Sequence, residues 1–492
     1  MRAEQPTPGV RSAEKTASLC LAVLIVAFFA VYYYGNLNST GISPGDEYLT
    51  LDRTSAFSVL GDYGSVYTGN TPSFAKPPLQ YWLGSLILAS GGDIFYAIKL
   101  PSYVFSLLIL VNSYFLTLYI LPERPIAAVF PPLILAVSGN FWEFAVSAML
   151  DSGAAWFALL AVTALIMAFD RPRMWYLWAL AVFFGALQKA PIGLVFSLIV
   201  LGYVTVADRA HARTSLSGGG SSQFRAALVL ALALMSLWPA WQTVQYGFGS
   251  VRYGVGEQML ERFAPISSEL NNDFVWIDWL IGENGRLFWI TGVLCSLFYF
   301  FRPREGAIAH LSAVAISFIV AMLLARGKVY DRYVLILYPF LATIVVYLVF
   351  RYIRNPLLAV AAMVAMFVVN GHYLYSRDEI SPASSKSPPF AAQLDGLKKV
   401  TTRGSTIVLC RGREPEEPSL SAVSYFASNG APVVMFSDQT DPEKYRVKYR
   451  QHRDFVGLCR EQYRGMLEGL FAEFKVLDSQ DDFIMWSARS IR

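Results

Sequence analysis

The sequence predicts an α-helical polytopic membrane protein with about 11 to 13 transmembrane helices and a small C-terminal α/β domain in the periplasm. Of its 492 residues, 55% are hydrophobic and 15% are charged, whereas soluble domains have about 25% charged residues. The apolar residues also form long runs, which excludes a disordered chain, a coiled coil and a disulfide scaffold. The formal net charge of +4 is too small to predict a nucleic-acid partner.

Many apolar segments approach the length of about 20 residues that a membrane-spanning helix needs. They are 18–36, 98–120, 126–140, 152–169, 174–187, 192–207, 226–246, 286–301, 307–324, 333–350 and 355–374. A further run, Leu79–Ser90, has only about a dozen residues, which favours an interfacial or re-entrant helix.

The positive charges predict the orientation of these spans. If Leu79–Ser90 does not cross, the N-terminus shares one face with the short arginine-rich loops. These loops hold Arg124, Arg171, Arg173, Arg209, Arg213, Arg225, Arg302, Arg304, Arg351 and Arg354. By the positive-inside rule that face is cytoplasmic, so in a bacterial inner membrane the C-terminal part lies in the periplasm. Two large periplasmic segments, 37–97 and 247–285, mix carboxylates, aromatic residues and glycines, as interfacial helices do.

After about residue 376 the composition becomes that of a soluble domain. We therefore expect a membrane domain over 1–375 and a periplasmic α/β domain over 376–492. The predicted elements of the second domain are strand Thr406–Cys410, helix Leu420–Ser428, strand Val433–Phe436, a helix near Phe455–Phe471, and paired strands near Phe474–Leu477 and Phe483–Ser487. Cys410 and Cys459 would share an oxidising compartment, and both a disulfide and two free thiols remain open.

Several charged residues occupy predicted span ends on the periplasmic face. They are Asp46, Glu47, Lys76, Asp151, Lys189, Lys328 and Arg332. Taken singly, each has a simpler explanation, because carboxylates cap helices and lysines extend towards lipid headgroups. Their convergence on one face is less easily explained, since ionisable residues at membrane edges are rare and tend to be functional.

This combination of charges predicts a site for a charged lipid headgroup. The cations would hold a phosphate or diphosphate and stabilise the negative charge that leaves with it. A carboxylate would orient or deprotonate an acceptor hydroxyl, or stabilise a positively charged sugar-like transition state. These requirements match glycosyl transfer from a polyprenyl-phosphate sugar.

At the same residues the sequence resembles the integral-membrane GT-C glycosyltransferases. The most similar group contains the bacterial lipid A aminoarabinose transferase and the protein O-mannosyltransferases. The resemblance rests on Gly45–Glu47, on the sequence KPPLQYWL at Lys76–Leu83 and on Asp151. It covers residues 1–200 and returns at Lys328–Tyr333. It implies an inverting transferase that uses an undecaprenyl- or dodecaprenyl-phosphate-linked sugar at the periplasmic face.

The resemblance also implies roles for individual residues. Asp46 would be the principal catalytic acidic residue, Asp151 the second and Glu47 the third. Lys76 would be a ligand of the donor phosphate. The charge pattern adds Lys189, Lys328 and Arg332 to the predicted phosphate-binding residues. The cavity would be lined by Tyr48, Tyr81 and Tyr333.

The expected partners are a polyprenyl-phosphate sugar donor, a lipid-linked glycan acceptor (lipopolysaccharide core or lipid A) and membrane lipid. A protein O-glycosyltransferase of the same fold is one alternative. A secondary transporter is another, although transporters place charges near the membrane midplane and usually show two related halves. No cofactor or metal is expected, because the cations can hold the phosphate. A Mg²⁺ ion bound by Asp46, Glu47 and Asp151 remains open as an alternative.

Overall fold

The structure, a computed structural model, consists of a helical bundle followed by a small mixed β-sheet. It describes residues 8–38, 46–68, 71–207, 220–258, 274–281, 286–325, 329–376, 396–397, 399–402, 405–411, 433–437, 446, 450–480 and 483–491. The helices of the bundle are α1 (Pro8–Tyr34), α2 (Asp46–Leu60), α3 (Leu79–Ala89), α4 (Ile94–Ile120), α5 (Phe130–Ala136), α6 (Gly139–Ala145), α7 (Asp151–Ala168), α8 (Met174–Gln188), α9 (Ile192–Ala207), α10 (Gly220–Tyr246), α11 (Phe248–Gln258), α12 (Val275–Ile281), α13 (Arg286–Phe300), α14 (Ala307–Leu324), α15 (Tyr338–Tyr352) and α16 (Pro356–Ser376).

Each apolar segment that the sequence assigns to a span contains a helix of the structure. Within the described residues, five helices are long and apolar enough to cross a membrane: α1, α4, α7, α10 and α14. Shorter apolar helices occupy the other predicted spans. The run after Pro78 is a separate helix, α3, whose 11 residues are too few to cross the hydrocarbon core.

Two predicted spans differ from continuous helices. The segment 126–140 consists of a 3₁₀-helix, Pro125–Val129, then α5, then a break before α6. The segment 333–350 begins with the 3₁₀-helix Asp331–Ile336 before α15. Each of the two α-helices has proline in its first turn, where the missing N–H is tolerated but the ring prevents a regular helix from extending further towards the N-terminus.

Helix α7 lies at the centre of the bundle and packs against α4, α8 and α9. Most of its side chains are buried, as expected for a helix that is apolar on every face. This packing fixes the position of its first residue, Asp151.

Hydrogen bonds identify one end of the bundle as the end that carries the arginine-rich loops. Arg124, after α4, donates to the carbonyl groups of Ile353 and Arg354, after α15, at 3.2 and 3.1 Å. Tyr203, near the end of α9, donates to Phe300 O at the end of α13 (2.6 Å). In each case the hydrogen bonds join two chain segments that the predicted topology places on the same face.

The C-terminal part contains a five-stranded sheet in the order β4-β3-β5-β8-β7. Its strands are β3 (Thr406–Arg411), β4 (Val433–Ser437), β5 (Phe455–Arg460), β7 (Lys475–Gln480) and β8 (Phe483–Ala488), and helix α17 (Arg464–Leu470) follows β5. Two further pairs of short strands occur. Strand β1 (Tyr67–Thr68) pairs with β2 (Thr71–Pro72), and β6 (Phe471–Ala472) pairs with β9 (Ser490–Ile491). The predicted helix Leu420–Ser428 lies outside the described residues.

The prediction of a helix over Phe455–Phe471 was wrong for its first third. Phe455–Arg460 is a strand that pairs in parallel with β3 and antiparallel with β8. Five of its six residues are buried, because a central strand is covered on both faces. Such a strand shows no alternation of apolar and polar residues.

A disulfide joins Cys410 of β3 to Cys459 of β5, with a Cα–Cα distance of 4.7 Å. Parallel pairing of these neighbouring strands brings the two cysteines together. The sequence left this pairing open because the strand at Cys459 was not predicted.

Candidate active site

Two carboxylates and two cations from separate parts of the chain form a cluster of ion pairs. Lys189 Nζ donates to Asp151 Oδ1 at 2.5 Å. Arg332 pairs with Asp46, and its Nε lies 3.6 Å from Asp151 Oδ2. The Arg332 guanidinium therefore bridges the two carboxylates.

Helix ends place these four side chains. Asp46 and Asp151 are the first residues of α2 and α7, where the helix N-terminus stabilises a negative charge. Lys189 directly follows α8, where the helix C-terminus stabilises a positive charge. Pro191 restricts the residue before it to extended conformations, so the chain leaves the helix at this point. Arg332 lies in the 3₁₀-helix between α14 and α15.

A small polar cavity adjoins the ion pairs. It is lined by Asp46, Arg53, Lys76, Tyr81, Met149, Leu150, Asp151, Lys189 and Arg332. Four of these residues are cations and two are carboxylates, so the lining carries a formal charge of +2 when all six are ionised. An excess of positive charge in a confined space favours an anionic ligand.

Lys76 lies in the loop between β2 and α3 and reaches this cavity. Removal from water lowers the pKa of Lys76 to about 8. The positive charges of Lys189 and Arg53 act in the same direction, while Asp46 and Asp151 oppose them. An anion that binds here would favour the protonated amine.

A second, much larger cavity of about 460 Å³ meets the polar cavity at Lys76 and Lys189. Among the described residues that line it, these two lysines are the charged ones. The other lining residues are Phe74, Ala75, Pro77, Ala186, Leu187, Ala190, Pro191, Ile192, Met235, Trp238, Pro239, Gln242, Val251, Gly254, Phe318, Ala321, Met322, Ala325, Val329, Tyr333 and Ile336. A mainly apolar cavity with two ammonium groups where it meets the polar cavity is suited to a lipid with an anionic headgroup.

Arg53 is a site residue that the sequence analysis missed. It is 5% exposed and donates to Tyr81 Oη at 2.9 Å and to Ser73 Oγ at 3.4 Å. Ser73 precedes Lys76 and Tyr81 follows it, so Arg53 ties both sides of the Lys76 segment to α2. The signal was available in the sequence, because Arg53 lies seven residues after Asp46 and such residues share one face of a helix.

The structure does not bring Glu47 to the polar cavity. Its carboxylate accepts a hydrogen bond from the backbone N–H of Ala148 at 2.5 Å. Glu47 is 2% exposed and interacts electrostatically with Lys99 of α4. Glu47 thus connects α2 to the loop that precedes Asp151.

The predicted cavity-lining tyrosines lie in different places. Tyr81 lines the polar cavity, and Tyr333 lines the apolar cavity with its ring 4.7 Å from Lys189 Nζ. The side chain of Tyr48 and all of Lys328 lie outside the described part of the chain. Within that part, no group of three or more His, Cys, Asp or Glu side chains is arranged to hold a metal ion.

The fold is similar to those of several solved structures. No family model and no curated protein matches the sequence. Among solved structures, ArnT from Cupriavidus metallidurans bound to undecaprenyl phosphate is similar, with a TM-score of 0.72 and 15% identity over 94% of this chain and 97% of that chain. Its apo form gives a TM-score of 0.70 at 15% identity, over 96% and 98% of the two chains.

An oligosaccharyltransferase from Archaeoglobus fulgidus is similar as well. That structure, tethered to an acceptor peptide, gives a TM-score of 0.58 at 11% identity and covers 94% of this chain and 74% of the other. Since ArnT is a lipid A aminoarabinose transferase and all these proteins are GT-C enzymes, the chain has the fold of the GT-C membrane glycosyltransferases.

Proposed function

We propose that this protein transfers a sugar from a polyprenyl-phosphate donor to a lipid-linked glycan at the periplasmic face of the bacterial inner membrane. The observation that carries the proposal is the junction of the apolar and polar cavities at Lys76 and Lys189. A polyprenyl-phosphate sugar has the matching parts: an apolar chain, an anionic phosphate and a polar sugar beyond it. The ArnT structure with bound undecaprenyl phosphate supports this class of ligand.

The two lysines would bind the donor phosphate from both sides of the junction. Lysine is a compact point charge that suits phosphate. The phosphate becomes more negative as its bond to the sugar breaks, so the same cations stabilise the leaving group in the transition state.

Asp46 is the better candidate for the catalytic carboxylate. Its side chain is 36% exposed, against 4% for Asp151, so an acceptor can reach it. In the proposed step, Asp46 takes the acceptor proton while the acceptor oxygen bonds to the anomeric carbon. The bond from that carbon to the phosphate oxygen breaks, and the polyprenyl phosphate leaves with the electron pair. Attack opposite the phosphate inverts the anomeric configuration.

The donor site is tested by binding undecaprenyl phosphate to the purified protein. Lys76→Ala should raise the Kd at least about tenfold, which corresponds to about 1.4 kcal/mol. Lys475→Ala, on the exposed face of the C-terminal sheet, is the matched control and should bind like wild type. Equal affinity in wild type and Lys76→Ala would contradict a phosphate site at Lys76.

The acceptor is tested by mass spectrometry of lipid A and core oligosaccharide from cells with and without the protein. We expect cells without the protein to lack the mass of one sugar on this glycan. Wild-type protein should restore that mass, and Asp46→Asn should not. A difference confined to glycosylated proteins would instead favour the protein O-glycosyltransferase. Absence of any glycan difference, together with movement of a solute across the membrane, would favour a transporter.

A further inference from the structure

A buried hydrogen-bond network lies directly beneath the ion pairs. Gln188, the last residue of α8, donates from Nε2 to Gln80 Oε1 (2.8 Å) and to the carbonyl oxygen of Leu150 (3.2 Å). Gln80 lies in α3, within the KPPLQYWL sequence. Both glutamine side chains belong to residues that are 1% exposed or less.

Ser102 of α4 completes the network. Gln80 Nε2 donates to Ser102 Oγ at 2.8 Å, and Ser102 donates to the carbonyl oxygen of Met149 at 2.6 Å. Met149 and Leu150 are the two residues before Asp151. Side chains from α3, α4 and α8 therefore hold the two backbone carbonyls that lead into the carboxylate.

The surrounding backbone leaves room for this arrangement. A Cβ atom at Gly153 would lie 2.3 Å from Gln188 Nε2, far inside the contact distance. Gly153 follows Asp151 by two residues, so the first turn of α7 sits directly on the Gln188 amide. The network and the carboxylate thus form one packed unit.

Burying the polar side chains of Gln80, Ser102 and Gln188 costs free energy that apolar side chains would not cost. A buried amide is unfavourable unless its hydrogen bonds are made, and an apolar side chain would fill the same space without that requirement. In this network Gln80, Ser102 and the Gln188 Nε2 group make hydrogen bonds, while Gln188 Oε1 accepts none from the described residues. The bonds that are made favour one geometry of the buried side chains over others. A misplacement of about 1 Å that originates away from the reacting atoms can lower a rate about 10²-fold.

We propose that Gln80, Ser102 and Gln188 are positioning residues that hold Asp151 in place against Lys189 and Arg332. The proposal rests on the glycosyl-transfer function proposed above. It assigns these residues an effect on the rate of transfer rather than on the affinity for the lipid donor, because the side chains of Gln80, Ser102 and Gln188 line neither cavity.

The decisive comparison is Ser102→Ala with Ser106→Ala. Both serines lie in α4 and are fully buried, but Ser106 donates to the carbonyl of Ser102 within its own helix at 3.0 Å. The two substitutions therefore remove the same group from the same helix, and only one removes a bond to Met149. We expect Ser102→Ala to lower kcat about 10- to 100-fold, with the Kd for undecaprenyl phosphate changed less than about threefold. Ser106→Ala should keep the wild-type kcat, and its Tm should fall by about as much as that of Ser102→Ala.

Gln188→Met provides a second variant of similar volume, and it should reproduce the loss of kcat. Wild-type kcat in both Ser102→Ala and Gln188→Met would overturn the proposal. So would an equal loss of kcat in Ser102→Ala and Ser106→Ala, which would indicate general destabilisation.

Amide hydrogen exchange separates this proposal from the proposed function. If wild type shows no transfer, exchange in the segment 146–153 decides the role of the network. Faster amide exchange in this segment in Ser102→Ala than in Ser106→Ala would support the network, although the glycosyl-transfer function would have failed. Equal exchange in the two variants overturns the network as well.

Discussion

Asp46 and Asp151 share the guanidinium of Arg332 but differ in access to solvent. Asp151 is nearly buried and also accepts from Lys189, so its charge is neutralised by two cations within the protein. Asp46 has a substantial exposed surface and lines the polar cavity. We therefore propose that Asp46 acts on an acceptor and that Asp151 organises the cations.

Replacing Asp46 by Asn tests this division of roles. Asn keeps the size of the side chain but removes its charge, so we expect transfer to fall about 10²- to 10⁴-fold, the usual contribution of a general base. Undecaprenyl phosphate should still bind, because the lysines remain. Turnover of purified protein and Kd are the two measurements. Asp278→Asn, on the exposed face of α12, is the control, and near-normal turnover of Asp46→Asn would leave Asp46 only a structural role.

The pH dependence of donor binding tests the pair Arg53 and Lys76. The pKa of Lys76 is about 8, so donor affinity in wild type should fall as the pH rises through this value and the amine loses its charge. Arg53→Gln removes one of the positive charges that lower this pKa, whereas Lys189, Asp46 and Asp151 remain. The fall in affinity should therefore move to higher pH. Arg252→Gln removes an exposed charge of α11 and should leave the profile unchanged; an identical profile in Arg53→Gln would show that Arg53 does not act on Lys76.

The sequence predicted which charged residues meet, but not how they pair. Span ends on one face were enough to bring Asp46, Lys76, Asp151, Lys189 and Arg332 together. Pairing depends on rotations of helices and on side-chain packing, which hydropathy does not encode. The different surroundings of Asp46 and Glu47 were predictable, because adjacent residues of a helix do not share a face. Asp46 lines the polar cavity, whereas Glu47 accepts a hydrogen bond from the backbone of Ala148.

The loop that carries Lys76 is held by α10 and α11. Tyr246 donates to Ser65 Oγ at 2.8 Å, and its ring packs edge-on against Phe74. A Cβ atom at Gly254 of α11 would lie 2.7 Å from the backbone oxygen of Phe74. The position of Lys76 therefore depends on how closely α11 approaches this loop.

Gly254→Ala should push α11 and the Phe74 backbone apart. Overpacking of this kind costs about 1–3 kcal/mol, and we expect the Kd for undecaprenyl phosphate to rise about tenfold as Lys76 is displaced. Gly249→Ala in the same helix is the matched control, because a Cβ atom there meets nothing within 4 Å. The same Kd in both variants would show that the contact at Phe74 does not set the position of Lys76.

Elements differed in how well the sequence predicted them, and the reason is their length. A run of about 20 apolar residues has few interpretations, so each predicted span contains a helix. Phe455–Arg460 is a six-residue strand followed by helical residues, and a short apolar run does not distinguish a buried strand from a helix. Its partners in the sheet, β3 and β8, come from distant parts of the chain.

The C-terminal sheet packs near the candidate active site. One apolar cluster contains side chains from both parts of the chain. It includes Ile94, Phe95 and Ile98 at the start of α4 together with Leu409 and Val456 of the sheet. The start of α4 lies at the end of the bundle opposite the loop that contains Arg124, so the sheet and the polar cavity share one membrane face.

This arrangement makes the topology testable by two reporter fusions. The dense arginines of the loops at one end predict that this end is cytoplasmic, which puts the polar cavity and the C-terminal sheet in the periplasm. A reporter that is active only in the periplasm should be active when fused after Arg492. The same reporter fused after Arg213, in a predicted cytoplasmic loop, should be inactive. Because the sheet and the cavity lie at the same end of the bundle, the opposite pattern in expressed, folded fusions would move both to the cytoplasm and contradict a periplasmic site of transfer.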